Sequence, residues 1–166
     1  MVKEIIKYII LLVFFVSAFF FFSVKKGGFF YTDTRSMEPT IRPGDRMVLV
    51  KTEVFKKSDI VIFKDPKNTE AYLVKRVIGL PGDTVEVTGG QLYLNSKLID
   101  EPYLKESFIV YKYGLAQVPP NKLFVLGDNR NNSEDSSIWG FLPAENMRGK
   151  IIFRYWPSNR LGRITP

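Results

Sequence analysis

The sequence predicts a mainly β protein: one N-terminal transmembrane helix followed by an antiparallel coiled-sheet or barrel-like domain. Three observations lead there. From Ile5 to Val24 the chain is apolar, broken only by Lys7, Tyr8, Ser17 and Ser23. After residue 30, short Val/Ile/Phe runs recur between Gly, Pro, Asn and Asp, and no long segment keeps a helical period. The 166 residues leave room for one domain of ordinary size beside the helix, not two.

The first element is the apolar run at about residues 5–24. At 1.5 Å per helical residue it reaches roughly 30 Å, the thickness of a bilayer's hydrocarbon core. A cleaved secretory signal competes with a retained anchor. The run is longer than the usual signal core, and bulky Phe crowd the end where small residues would mark a cleavage site. A buried core helix would show polar interruptions at helical spacing. Residues 1–26 are therefore assigned to a membrane anchor and residues 27–166 to the domain. Charge does not orient the anchor, because Lys3 and Lys7 at one end are balanced by Lys25 and Lys26 at the other. Tyr8 on one side, and Phe29, Phe30 and Tyr31 on the other, suit the headgroup level.

Strands follow at Arg46–Lys51, Ile60–Lys64, Tyr72–Leu80, Thr84–Val87, Gln91–Leu94, Lys97–Ile99, Lys122–Leu126 and Lys150–Tyr155. Gly89-Gly90 and Asn95-Ser96 are hairpin turns joining three of them. Pro81-Gly82-Asp83 marks another reversal. Residues 100–120 are the least regular stretch, read as a long loop or extended hairpin. Many short strands at close spacing favour antiparallel coiled sheets over a βαβ fold.

Composition restricts the chemistry. With no Cys and no His, disulfides, thiol nucleophiles, imidazole bases and the common zinc sites are excluded. Acid–base work must run on carboxylates, Tyr, Lys or a terminus. The net charge of +7 comes from cations scattered among acids, without a basic stripe or a reader motif. A surface facing anionic lipid headgroups explains it, and no nucleic-acid partner is expected.

Three constellations carry possible chemistry. In Thr34-Arg35-Ser36-Met37-Glu38-Pro39-Thr40, Pro39 bars its predecessor from helix and fixes a turn. Such a turn presents the Ser36 hydroxyl and backbone N–H together; by itself it also reads as a plain turn. In Tyr72–Asp83, alternation places Lys75 on a face with Leu73 and Val77. Apolar surroundings depress a lysine pKa toward the range of a general base, although a lysine at a strand edge also reaches water along its stem. The third, Gly127-Asp128-Asn129-Arg130-Asn131-Asn132-Ser133-Glu134-Asp135-Ser136-Ser137-Ile138-Trp139-Gly140, concentrates donors and acceptors suited to holding a buried polar group. Its acids do not fall in a calcium-loop register. No metal and no cofactor is expected.

Together, and in this order behind an anchor, these motifs resemble the type I signal peptidases, membrane-anchored serine proteases that use a Ser/Lys dyad. The likeness covers essentially the whole chain. Ser-Met-x-Pro-Thr stands at Ser36–Thr40, and the Gly-Asp-Ile-Val-x-Phe strand stands as Ser58–Phe63. Lys-Arg-x-x-Gly-x-Pro-Gly-Asp stands at Lys75–Asp83, and the last box spans Gly127–Gly140 with one substitution. The resemblance implies Ser36 as nucleophile and Lys75 as its general base. It implies Thr34 and the Ser36 N–H as oxyanion donors, Ser133 orienting Lys75, and Asp135 in the supporting network. Met37 and Val74, beside the dyad, are the hypothesised walls of the substrate pocket.

The implied reaction removes signal peptides of the Ala-x-Ala type from secreted preproteins. The implied location is the bacterial cytoplasmic membrane, single-pass, with the N-terminus inside and the catalytic domain on the extracytoplasmic face against the lipid bilayer. Two other readings are a conjugation- or pilus-dedicated peptidase of the same family and a non-catalytic membrane-anchored relative. Ser137 replaces an Arg of the family pattern, so the ion pair expected with Asp135 must be absent or use another cation, such as Arg76. Ser58 replaces a turn Gly, implying a less demanding backbone there.

Overall fold

A computed structural model of the chain describes residues 2–25, 27–68 and 70–164, with side chains of the first helix described for residues 2–15 and 17. That helix, α1, runs Val2–Lys25, and its described side chains are all exposed. The expected domain boundary at residue 26 lies outside the described residues, as do the side chains of residues 16 and 18–25 in the expected span. Among the described residues, no helix is long and apolar enough to cross a membrane.

Twelve strands follow. The larger sheet contains β1 (Gly27–Tyr31), β2 (Arg46–Val50), β3 (Ile60–Lys64), β4 (Tyr72–Gly79), β9 (Lys122–Leu126), β10 (Leu142–Pro143), β11 (Met147–Trp156) and β12 (Gly162–Arg163). Its order is β1-β2-β11-β3-β4-β9-β10, with β12 pairing β11. The smaller sheet has the order β7-β6-β5-β8, formed by β5 (Thr84–Thr88), β6 (Gln91–Leu94), β7 (Lys97–Leu98) and β8 (Tyr113–Gln117). Every described pairing is antiparallel. The described strands form open paths rather than closing into a barrel, which corrects the barrel-like part of the expectation. Because β4 pairs β9 directly, the small sheet is an insertion between neighbouring strands of the large one.

Local chemistry explains the hairpins. Gly89 and Gly90 have φ of 58° and 80°, and Asn95 and Ser96 have φ of 52° and 63°. Two successive left-handed residues match the twist of the flanking strands. The strand β8 lies within the segment expected to be irregular. Its sequence, Tyr-Gly-Leu-Ala-Gln, is poor in β-branched residues, and pairing with β5 makes it a strand.

The large sheet is covered on both faces, which is why β3 reads as a continuous apolar run and β4 is buried without a break from Val74 to Gly79. Ile60, Ile62 and Val74 enter a cluster with Met37, Ile41, Met47, Leu49 and Ile151. Val61, Phe63 and Val77 enter another with Leu123, Val125 and Leu142. A third cluster joins the small sheet to β4 and β9 through Ile78, Val85, Leu92, Val118 and Phe124. Between these clusters, where the middle of β4 and the end of β9 meet the Ser36 turn, the buried polar groups gather.

Candidate active site

The Ser36 turn follows β1 and is fixed by its own backbone. The Glu38 N–H donates to Arg35 O (3.1 Å), and the Ile41 N–H donates to Met37 O (2.9 Å). Met37 and Ile41 drive the turn into the core, at 2% and 0% exposure. The last box grips it from the other side. Asn129 donates its N–H to Ser36 O (3.0 Å) and its Nδ2 to Arg35 O (3.1 Å). Both carbonyls flanking the Ser36 amide unit are thereby held by one residue.

Lys75 lies in the middle of β4, opposite Val61 of β3, and is 2% exposed. Its Nζ sits 2.6 Å from Ser36 Oγ. Burial removes water from the ammonium and lowers its pKa from 10.5 to about 8. The acids Asp135, Glu134, Asp128 and Asp65 oppose the shift without cancelling it. A lysine in that state is half neutral near pH 8 and can accept the hydroxyl proton over a hydrogen-bond distance.

Gly127, the first residue after β9, makes room beside the dyad. A Cβ there would lie 2.3 Å from Ser133 Oγ and 2.5 Å from Ser36 O. Ser133 Oγ is therefore next to the Gly127–Ser36 contact, but it is buried without a hydrogen-bond partner and makes no bond to Lys75 among the described residues. Thr34 is exposed, with its Oγ1 3.5 Å from Ser36 Oγ and 3.3 Å from Thr32 Oγ1. The hydroxyls of Thr32, Thr34 and Ser36 thus line up with Lys75.

Asp135 is fully buried and caps the short helix α2 (Ser136–Trp139). Its Oδ1 accepts from the Ser137 N–H (3.0 Å) and hydroxyl (2.7 Å), and its Oδ2 accepts from the Gly127 N–H (2.9 Å). Ser137 thus supplies hydrogen bonds, not charge. Of the two expectations, an absent ion pair or another cation such as Arg76, the first is met: among the described residues Asp135 has no ion pair, and Arg76 goes elsewhere. Arg76 grips Asp128 with Nε to Oδ1 at 2.8 Å and Nη2 to Oδ2 at 2.7 Å, and both side chains are fully buried. Adjacency in the motifs could not distinguish the two acids. β4 and β9 register Arg76 beside Leu126, two residues before Asp128.

Ser58 also departs from expectation. Its φ is +71°, so the backbone is left-handed there and more demanding for a side chain than for the Gly it replaces. The Ser58 N–H donates to Val77 O (2.8 Å), and its carbonyl accepts from Arg76 Nη1 (3.1 Å). The turn is needed to aim that carbonyl at the buried guanidinium.

Met37 and Val74 do share a cluster, 2% and 5% exposed, but as core residues of the free chain. Two described cavities lie elsewhere. One of about 650 Å³ is lined by Gly90, Leu98, Glu101, Leu104 and Glu106 among others. The second, about 350 Å³, lies between residues 51–55 and 144–148. Among the described residues, no group of His, Cys, Asp and Glu could hold a metal ion.

Sequence reasoning placed Asp128, Asn129 and Arg130 in the last box without individual roles, and did not single out Glu101 or Tyr103. Arg130 pairs with Glu101 through both terminal nitrogens, and Arg76 sits over the Tyr103 ring. Glu101-Pro102-Tyr103 is an acid and an aromatic in an otherwise featureless loop. That composition was the available signal, and nothing in its spacing names a partner.

Antiparallel sheets carrying a buried serine–lysine pair, with neither His nor Cys in the chain, have the make-up that a serine hydrolase of the non-triad kind requires. Comparison with known proteins narrows the class. Residues 2–156 match the family model described as signal peptidase, peptidase S26, and the chain belongs to that family. It is a serine endopeptidase of the signal peptidase I type. It is 40% identical over 148 residues to signal peptidase I of Leptolyngbya laminosa, covering 82% of this chain and 72% of that one. Signal peptidase I of Bacillus caldolyticus is 37% identical over 145 residues, covering 77% and 79%. Thylakoidal processing peptidase 1 of Arabidopsis thaliana is 40% identical over 140 residues, but only 41% of its length is covered, with 76% of this chain. A crystal structure of a signal peptidase I from Enterococcus faecalis superposes with a TM-score of 0.54 at 32% identity, covering 60% of this chain and 98% of that one.

Proposed function

We propose that the protein removes N-terminal signal peptides from secreted preproteins at a bacterial cytoplasmic membrane, through an acyl-enzyme formed on Ser36. The observation that carries this reading is the buried 2.6 Å approach of Lys75 Nζ to Ser36 Oγ. Neutral Lys75 takes the hydroxyl proton as Oγ attacks the scissile carbonyl carbon. The peptide C–N bond then breaks, and Lys75 returns the proton to the departing amine of the mature protein. Lys75 Nζ then deprotonates a water, which attacks the ester carbonyl; as the acyl C–O bond breaks, Lys75 returns that proton to Ser36 Oγ and the free serine is regenerated. The Ser36 N–H and the Thr34 hydroxyl are the donors for the developing oxyanion. Asp135, holding the Gly127 N–H, and Ser133, packed against Gly127, support the segment beside the dyad. The small residues of an Ala-x-Ala segment bind on the side of the dyad that Met37 and Val74 back from the core.

The anchor belongs to the same proposal. α1 has 24 residues, about 36 Å of helix, a length that matches a tilted passage through hydrocarbon. In the sequence, residues 16 and 18–24, apolar but for Ser23, complete the span, whose side chains are described only for residues 2–15 and 17. The helix leads to β1, and the side chains of Phe29, Tyr31 and Trp156 are more than half exposed. Tyr31 and Trp156 flank Arg46 across the sheet. Aromatic and cationic side chains of this kind favour the headgroup layer.

The test is cleavage of a preprotein carrying an Ala-x-Ala signal peptide by the detergent-solubilised full chain. Ser36→Ala and Lys75→Met are expected to abolish cleavage while leaving the fold intact. Near-normal processing by either variant would falsify the dyad assignment.

A further inference from the structure

The small sheet is inserted between two strands that carry the site, and it reaches back to that site through the segment following β7. Tyr103 lies with its ring centroid 3.8 Å from Arg76 Cζ. Its hydroxyl donates to Glu101 Oε1 (2.6 Å). Glu101 is bound by both terminal nitrogens of Arg130, and the two side chains are 4% and 1% exposed. Arg130 Nε donates to Gly127 O (3.0 Å). The circuit closes through Arg76, which is fully buried and grips Asp128, the residue after Gly127. Asp128 Oδ2 also accepts from the Thr40 hydroxyl in the Ser36 turn.

We infer that Glu101 and Tyr103 are positioning residues for the peptidase reaction, forming a buried brace by which the inserted sheet sets the place of Gly127-Asp128-Asn129. This rests on the dyad reading above. The placement matters because that segment fixes both partners. Asn129 holds the carbonyls of Arg35 and Ser36. Arg76, next to Lys75, is held by Asp128 in front and Tyr103 over its face. The side chains of Arg76, Asp128, Arg130 and Glu101 are at most 4% exposed and Tyr103 is partly buried over them, so removing one member displaces the others instead of merely solvating them. The aromatic face suits Arg76 because a planar guanidinium stacks while its edge nitrogens stay engaged with Asp128 and Ser58 O. A shift of a fraction of an ångström between hydroxyl and amine acts on the chemical step and leaves substrate docking untouched.

The experiment measures kcat and KM on the same preprotein for wild type, Tyr103→Leu, Tyr103→Phe and Glu101→Gln, with Ser36→Ala as control and thermal unfolding to establish folding. Tyr103→Leu and Glu101→Gln are expected to lower kcat roughly tenfold or more with KM nearly unchanged. Tyr103→Phe keeps the ring and is expected to retain most of kcat. The inference is overturned if folded Tyr103→Leu or Glu101→Gln keeps wild-type kcat, if their loss appears in KM alone, or if Phe loses as much as Leu. Should Tyr103→Leu not fold, Glu101→Gln and Tyr103→Phe decide. Failure of both Tyr103→Leu and Glu101→Gln to fold makes the segment a folding element and also overturns it. An inactive wild type defeats the dyad reading and this inference with it. A wild type silenced by Ser36→Ala beside a fully active Tyr103→Leu defeats this inference alone.

Discussion

Burying Lys75 has a thermodynamic consequence that can be measured without any substrate. Its folded pKa is about 8 against an ordinary 10.5, because burial removes the ammonium from water. Below pH 8 the native protein must keep a charged ammonium in a site 2% exposed, and this costs stability relative to the unfolded chain. Between pH 8 and 10.5 the unfolded chain binds the proton and the native one does not, so the penalty fades as pH rises. The full penalty corresponds to about 3 kcal/mol at 1.36 kcal/mol per pH unit. Lys75→Met keeps most of the stem volume and has no charge to desolvate. Denaturant unfolding of the detergent-solubilised full chain, followed for both proteins from pH 7 to 10.5, isolates this group because other titrations cancel in the difference. Lys75→Met is expected to be more stable at pH 7 by about 3 kcal/mol, with the advantage falling steadily toward pH 10.5. A difference that stays flat across that range would show Lys75 to be an ordinary solvated lysine, and the proton-acceptor role would fall with it.

Activity should follow the same group with the sign set by its neutral form. The ratio kcat/KM is expected to rise with pH through an apparent pKa near 8; a profile flat from pH 6 to 9 would contradict a lysine base. Gly127→Ala is expected to lower kcat by more than tenfold. The added Cβ meets Ser36 O at 2.5 Å, and a backbone oxygen cannot swing aside as a side chain can. Steady-state cleavage on folded protein checks it, and wild-type turnover would refute the close approach. Asp128→Asn leaves Arg76 buried without its counter-charge and is expected to cost about 3–5 kcal/mol in unfolding experiments. An additional Arg76→Met in the same chain should recover part of that loss. A cost under 1 kcal/mol would mean that the pair is not buried as described.

The strand runs at residues 60–64, 91–94 and 122–126 were legible because β-branched and aromatic residues sat between turn residues whose φ requirements are local. Strands β1, β8, β10 and β12 were not legible. In β1 the aromatics Phe29-Phe30-Tyr31 read equally as headgroup residues behind the helix, while Tyr113–Gln117, Leu142-Pro143 and Gly162-Arg163 carry little strand propensity and are strands because a neighbour's unpaired edge meets them. Ser58 misled for a related reason. A Ser is compatible with ordinary turns, and the positive φ goes with tertiary bonds the sequence does not name, the Ser58 N–H to Val77 O and the Ser58 carbonyl to Arg76.

Within the site, residue types were decided by the chain alone. A protein without His or Cys has few routes to a nucleophile and base, and the ordered motifs around Ser36 and Lys75 fixed which hydroxyl and which amine to examine. Partnership was decided only by the tertiary structure. Arg76 was one of several cations able to answer several acids, and its choice of Asp128 over Asp135 follows from the β4–β9 register and from bidentate geometry. Glu101 and Tyr103 belong to the site's surroundings because an inserted sheet returns them to it across 25 or more residues of sequence. Composition states what chemistry a chain can perform. Which groups are dry enough, and near enough, depends on what the fold places around them, since desolvation and distance set both the pKa of a base and the strength of an ion pair.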